Sequence, residues 1–316
     1  MADIGPAIRT VVRDCLAVKP GEDVLVIADP PLQGLGEALR GAAREAGAEA
    51  VLALMDAREI DGNEPARPVA GALEACDVFI APTSRSLSHT MARKRACDRG
   101  ARGATMPGVT EEMLARVMAI DFETVAARSG AVAALLDQAT EARVTCPRGS
   151  DLRLDLRDRV GQPDDGRLTT PGTFGNLPCG EAFIAPRYGE GTIVAASLAP
   201  LGLTDEPATL AVRGGHVAEA HGGLGPEYLA LLQAHGERGT NLAELGVGTN
   251  DRATLTGNVL EDEKILGTVH VAFGASAGIG GTVSVPIHLD VVVLDATLVV
   301  DGRTVLDSGK YVLDAA

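Results

Sequence analysis

DVLVIAD (23–29), LGEALRGAAREAGA (35–48) and EAVLALM (49–55) follow one another directly. An apolar β-rich run, a helical stretch and a second β run in this order build a right-handed parallel strand–helix–strand unit. Upstream, PAIRTVVRDCLA (6–17) spaces its apolar residues as a helix does and halts at Lys19-Pro20-Gly21. Downstream, DVFIAPTS (77–84) is a third strand opening on a polar loop; a helix follows at 89–99, and RGATMPG (102–108) reads as a short strand. EEMLARVMA (111–119) and FETVAARSGAVAALLDQA (122–139) are helical. These elements predict an open α/β domain with a mainly parallel sheet over residues 1–140. No G-x-G-x-x-G follows the first strand, so a dinucleotide site is not expected.

After Thr140 the texture changes. ARVTCPRGSDLRLDLRD (142–158) alternates apolar and polar residues around an Arg-Gly-Ser turn, which predicts a β-hairpin. TLAVRGGHVAEAHGG (209–223) repeats the pattern around Gly214-Gly215, and PEYLALLQAHGERG (226–239) is a helix. PIHLDVVVLDATLVVDGRTVLDSGKYV (286–312) reads as a meander of three strands with Asp301-Gly302 at a turn. Residues 141–316 are therefore expected to form a strand-rich α+β domain.

With 316 residues, the chain is long enough for two such domains, each with its own core. A formal net charge of −15 argues against nucleic acid, which needs a basic face. No apolar run approaches the ~20 residues of a membrane span, and the start, MADIGPAIRTVVRD, lacks the pattern of a signal peptide. No membrane association and a cytoplasmic location are expected. The cysteines (Cys15, Cys76, Cys97, Cys146, Cys179) are odd in number and form no C-x-x-C pair, which points to free thiols rather than a zinc ribbon or disulfide framework.

Chemistry is signalled by polar residues in apolar surroundings. In PIHLDVVV, residues two apart on a strand face the same way, so His288 and Asp290 project together as an imidazole–carboxylate clamp. An isolated H-x-D would read equally well as an exposed polar pair on an edge strand. Here Val291, Val292, Val293 and Leu294 follow, and a charge in such company needs a partner or an ion. His270 lies in KILGTVHVAFG (264–274), which reads as a buried strand; it is either a hydrogen-bonded core residue or a third ligand. Glu181, after NLPCG, and Glu244, in NLAELGVGTN, occupy loop-like, mostly uncharged settings where a carboxylate meets a cation or titrates abnormally. His216, His221 and His235 lie in turn or helix-end contexts and read as surface residues.

VKPGEDVLVIAD, PGTFGNLPCGEAFIAP, AELGVGTN, LEDEKILGTVHVAFG and PIHLDVVV together resemble the M29 class of thermophilic aminopeptidases, also called aminopeptidase T or leucyl aminopeptidase-like proteins. The resemblance places Glu181, Glu244, His270, His288 and Asp290 at that family's metal positions and implies two divalent ions of zinc or cobalt type. It implies a hydrolase that removes N-terminal residues from short peptides. A metal-activated water would attack, with Glu181 as general base, and the protein would be a homodimer. The stretch after His270, VAFGASAGIGG, has no Tyr where those peptidases carry one. TSRSLSHTMARKRA (83–96) resembles instead a short branch that includes 2,5-dihydroxypyridine dioxygenases, with one Fe(II) on a His, His-x-Asp triad and His89 reaching the substrate. His89 reads otherwise as a helix N-terminal residue satisfied by capping. The expected function is thus a metal-dependent aminopeptidase; the alternative is a mononuclear iron ring-cleaving dioxygenase acting on a small molecule, and the third a binding protein stapled by its metal.

Overall fold

Strands of a parallel sheet covered on both faces read as unbroken apolar runs, and the strands Asp23–Ala28 and Val78–Thr83, inside the first sheet, come nearest to this. The computed structural model describes residues 3–88 and 90–313. In chain order its strands are β1 (Asp23–Ala28), β2 (Glu49–Leu54), β3 (Val78–Thr83), β4 (Arg102–Pro107), β5 (Glu141–Thr145) and β6 (Asp151–Asp155). There follow β7 (Gln162–Asp164), β8 (Phe174–Asn176), β9 (Glu181–Ile184), β10 (Tyr188–Leu198), β11 (Gly202–Arg213) and β12 (His216–His221). The last are β13 (Leu242–Gly248), β14 (Val269–Gly274), β15 (His288–Val293), β16 (Thr297–Val300), β17 (Arg303–Asp307) and β18 (Lys310–Tyr311). The helices are α1 (Gly5–Arg9), α2 (Gln33–Glu45), α3 (Arg67–Leu73), α4 (Met91–Asp98), α5 (Glu111–Val117), α6 (Phe122–Asp137), α7 (Gly225–Gln233) and α8 (Val259–Asp262).

The chain divides into two units, Met1–Phe122 with Gly166–Cys179, and Glu123–Asp165 with Gly180–Ala316. The division differs from a single boundary near residue 140: α6 belongs almost wholly with the second unit, and 166–179 returns to the first.

In the first unit five strands run parallel in the order β2-β1-β3-β4-β8. β1 buries every residue after Asp23 and β3 buries all six, while β2, at the edge, alternates. Helix α2 presents Leu35, Leu39 and Ala43 at four-residue spacing to the interior. Thr110 caps α5 by accepting from the Met113 amide at 3.1 Å, with Glu111 and Glu112 in the first turn where the helix dipole favours them. Arg102 is buried and each of its guanidinium nitrogens donates: Nε to the Leu16 carbonyl at 2.8 Å, Nη2 to that of Ala17 at 3.1 Å, and both terminal nitrogens to Glu22. That arrangement ties the segment after α1 to β4.

The second unit is a mixed-length antiparallel sheet in the order β18-β17-β16-β5-β6-β10-β15-β14-β13-β9-β7, with β11 and β12 added at β10. The α/β plus strand-rich α+β expectation holds. The two predicted hairpins form as β5–β6 and β11–β12. The predicted C-terminal meander forms in part: β16, β17 and β18 pair in succession around the expected Asp301-Gly302 turn, whereas β15 leaves it to pair with β10 and β14. Long-range pairing overrides sequence adjacency there, which local pattern cannot reveal. The strand expected over 264–274 begins only at Val269. No helix among the described residues is long and apolar enough to cross a membrane.

Gly103 on β4 sits directly opposite Phe79 on β3, and a Cβ added there would overlap the Phe79 ring. Gly103→Ala should therefore destabilise the first unit by ~1–3 kcal/mol through overpacking. Urea unfolding followed by circular dichroism measures this, and a change under ~0.5 kcal/mol would mean that the ring has room to move.

Candidate metal centre

β15, β14, β13 and β9 are consecutive neighbours, so alternation along each strand sorts their side chains onto two faces. One face sends Ala182, Ile184, Leu245, Val247, Val269, Val271, Phe273, Val291 and Val293 into the hydrophobic core. The other carries Glu181, Glu244, His270, His288 and Asp290. Register aligns them: Glu181 opposes Gly248, His270 opposes Gly246, and Glu244 and Asp290 both oppose Ala272 from opposite sides.

Leu242 and Glu244 are two residues apart, yet Leu242 lies in the core and Glu244 on the polar face. A register shift between them resolves this: Leu242 pairs with Phe273 and Glu244 with Ala272, leaving Ala243 as a bulge. Bulges re-aim side chains in this way. Glu181 and Glu244, read from sequence as loop-like, thus both stand on strands.

The positions between the polar groups are small for a steric reason. A Cβ on Gly246 would overlap the His270 imidazole, and one on Gly248 the Ile265 carbonyl. The His270 ring lies over the bare backbone of Gly246. Its Nε2 is 3.3 Å from Glu244 Oε1 and 3.2 Å from Glu181 Oε2. Only the Glu244 approach has hydrogen-bond geometry, so among the described residues Glu181 Oε2 has no hydrogen-bond partner despite that proximity. His288 Nε2 is 3.2 Å from Glu244 Oε2 and 3.8 Å from Asp290 Oδ1. Its Nδ1 donates to the Ala275 carbonyl at 2.7 Å, which orients the ring and turns Nε2 into the cluster.

Three residues of this neighbourhood carried no assigned role in the sequence. Lys264 is fully buried, with Nζ 2.5 Å from Glu181 Oε1, 2.7 Å from Glu263 Oε1 and 3.3 Å from Asp164 Oδ2. Asp164 pairs with Glu181 across β7 and β9. A usable signal was present for Lys264: it is one of only four lysines, placed directly before an apolar run. Asp164 and Glu263 offered none, because each sits among other acids. His216 and His235 play no part in the cluster, nor does His221, which is exposed. His89 lies outside the described residues.

Burial works against every charge here, but the signs of the outcome differ. It pushes the Glu181 carboxyl up to about 8 and Asp290 up to about 6, in both cases against the pull of neighbouring cations. For His270 and His288, burial opposes the proton, but Glu181 and Glu244 hold His270 up at about 9, and Asp290 and Glu244 hold His288 up at about 10. Lys264 is raised although Glu181 is raised too. Both directions stand, because one ammonium shared by three carboxylates is itself well stabilised yet cannot neutralise all three.

Two three-residue groups have ligand atoms within 4.8 Å of one another: Glu244, His270 and Asp290; and Glu181, Glu263 and His270. Three of the five buried side-chain polar atoms without a partner among the described residues belong to the neighbourhood, namely Asp164 Oδ2, Glu181 Oε2 and His270 Nδ1. A protein-only arrangement therefore leaves this face unsatisfied, and the imidazole and carboxylate donors suit a divalent transition metal.

The sequence family described as NicX, 2,5-dihydroxypyridine 5,6-dioxygenase, matches residues 4–313. A 2,5-dihydroxypyridine 5,6-dioxygenase of Pseudomonas putida KT2440 is 25% identical over 258 residues, covering 76% of this chain and 72% of that protein. Among solved structures, 2,5-dihydroxypyridine dioxygenase from the same strain superposes with a TM-score of 0.83 at 21% identity, over 98% of this chain and 97% of the other. Wild-type AmpT from Thermus thermophilus superposes with a TM-score of 0.72 at 19% identity, over 98% and 99%. At these identities the two structures share the fold with this chain.

Gly246→Ala should displace the His270 ring and lower metal affinity by ~10-fold or more while leaving the fold intact. Calorimetric titration with Zn²⁺ beside a circular dichroism spectrum checks it, and unchanged affinity would remove His270 from the centre. Imidazole binds metal only when neutral, and both rings are protonated below about 9. Uptake near pH 7.5 should thus release about two protons per ion and weaken as pH falls. A weakly buffered titration reads this directly; uptake without proton release would show the rings already neutral.

Proposed function

Because the chain belongs to the 2,5-dihydroxypyridine 5,6-dioxygenase family, we propose that it is a mononuclear Fe(II) dioxygenase that opens the ring of a dihydroxypyridine or a close analogue. The observation that carries this reading is the approach of both imidazole Nε2 atoms to the two oxygens of one carboxylate, Glu244, with Asp290 beside them. Two imidazoles and a carboxylate are the donor set of non-haem iron oxygenases. The aminopeptidase expectation keeps a shared fold in its favour, and the family match goes to the dioxygenase alternative instead.

A ferrous ion held here would supply the redox chemistry with O₂ and leave positions open for the substrate. His270 and His288 would hold it through Nε2, and Asp290 would complete the triad. The Ala275 carbonyl keeps His288 in the required orientation through Nδ1. Glu181 Oε2, buried and without a hydrogen-bond partner among the described residues, is the acceptor for a proton leaving a substrate hydroxyl.

Anaerobically purified protein should contain about one iron per chain and consume O₂ with 2,5-dihydroxypyridine, placing both atoms of ¹⁸O₂ in the product. Two zinc or cobalt ions per chain with hydrolysis of leucyl peptides and no O₂ uptake would overturn the reading. Asp290→Ala should lower iron affinity by at least ~10²-fold. Normal iron content in that variant would remove Asp290 from the triad.

A further inference from the structure

We propose that Tyr228 is a positioning residue of the metal centre: its phenol holds the peptide before Asp290 from the core side of the sheet and so aims the Asp290 carboxylate. The inference rests on the reading of His270, His288 and Asp290 as ligands of one ion.

His288 and Asp290 project together, yet they are held in different ways. The His288 ring has its own anchor, the hydrogen bond from Nδ1 to the Ala275 carbonyl. Asp290 meets His288 Nε2 only at 3.8 Å, too long for a hydrogen bond. The aim of its carboxylate therefore depends on the backbone that carries it. Peptide units are planar, so fixing the carbonyls before and after Asp290 fixes its two soft dihedrals and the direction of its Cα–Cβ bond.

Both carbonyls are fixed. The Asp290 carbonyl accepts from the Ala199 amide at 2.9 Å, just past the end of β10. The Leu289 carbonyl accepts from the Tyr228 hydroxyl at 2.7 Å. The first contact uses backbone alone, whereas the second depends on one side chain.

Tyr228 stands on α7 and is fully buried. Its ring meets Phe273 edge-on, with centroids 6.4 Å apart and planes at 75°. Phe273 lies on β14 directly opposite Leu289, so the ring is seated beside the peptide it binds. The alternation that turns Phe273 and Leu289 towards the core turns His288 and Asp290 the other way. A buried phenol needs an acceptor for its hydrogen, and here that acceptor is the carbonyl between two ligands. Tyr228 thus acts on the centre through the thickness of the sheet, from the side away from the ion and substrate.

The test is Co²⁺ affinity of the full chain by calorimetric titration, beside the visible spectrum of the bound ion and circular dichroism. Tyr228→Phe keeps the ring against Phe273 and should fold as the wild type does, but bind Co²⁺ ~10-fold or more weakly with shifted visible bands. In an Asp290→Ala background the same substitution should cost less than ~2-fold further, since a residue that acts through Asp290 has nothing left to aim. Val305→Ala, a cavity elsewhere in the same core, should lower the melting temperature and leave Co²⁺ affinity within ~2-fold. Undiminished affinity in Tyr228→Phe, an additive loss in the Asp290→Ala background, or an equal loss in Val305→Ala would each overturn the proposal. Loss of the fold in Tyr228→Phe would overturn it too, because the phenol would then serve stability rather than aim. A wild type that takes up no Co²⁺ refutes the metal reading and the proposal with it, whereas a metal-binding wild type that opens no ring refutes only the reaction.

Discussion

Carboxylates buried side by side repel one another and lose their hydration, so they persist only where cations are supplied. In this chain Asp164, Glu181, Glu244, Glu263 and Asp290 gather on one sheet face against Lys264 and two imidazoles. Negative charge remains in excess even when both imidazoles are protonated. An ion can relieve that excess only if the donors are held at fixed separations, and strands paired on both sides are stiff enough to do so. The strand-rich unit therefore serves as the frame of a charged cluster, and the apolar residues on its opposite face fasten that frame to the core.

The separation into a wet and a dry face depends on one irregularity. Without the bulge at Ala243, Leu242 and Glu244 would share a face, and either the leucine would enter the charged cluster or the glutamate the core. Gly246 and Ala272 complete the arrangement by withholding side chains where an imidazole and two carboxylates converge.

How far the sequence reaches follows from what is local. β1, β2 and β3 of the first unit are legible because each is a short apolar run between turn signals, and the two hairpins because alternation and turn residues coincide; β8, a mere Phe-Gly-Asn, carries no such signal. Glu181, Glu244, His270, His288 and Asp290 each stand out in mostly apolar surroundings, but only the resemblance of the blocks around them joins them into one set, and the structure brings all five together. Lys264 went unassigned because a lysine after three acids reads as solvated charge, and its burial arises from strands far away in sequence. The bulge at Ala243 left no trace, since register is a property of two strands. The position of β15 between β10 and β14, away from its neighbour in sequence β16, is invisible for the same reason.

The return of residues 166–179 to the first unit bears on how the chain can be cut. β8 covers the outer side of β4 through pairing of Gly103, Ala104 and Thr105 with Phe174, Gly175 and Asn176. A fragment ending near residue 140 would contain every other strand of that sheet but leave the amides and carbonyls of β4 bare. An edge of unpaired amides and carbonyls is a template on which chains pair with one another. Adding back a peptide that spans 166–179 would close it, so the short return strand acts as a cap against self-association of the unit that precedes it.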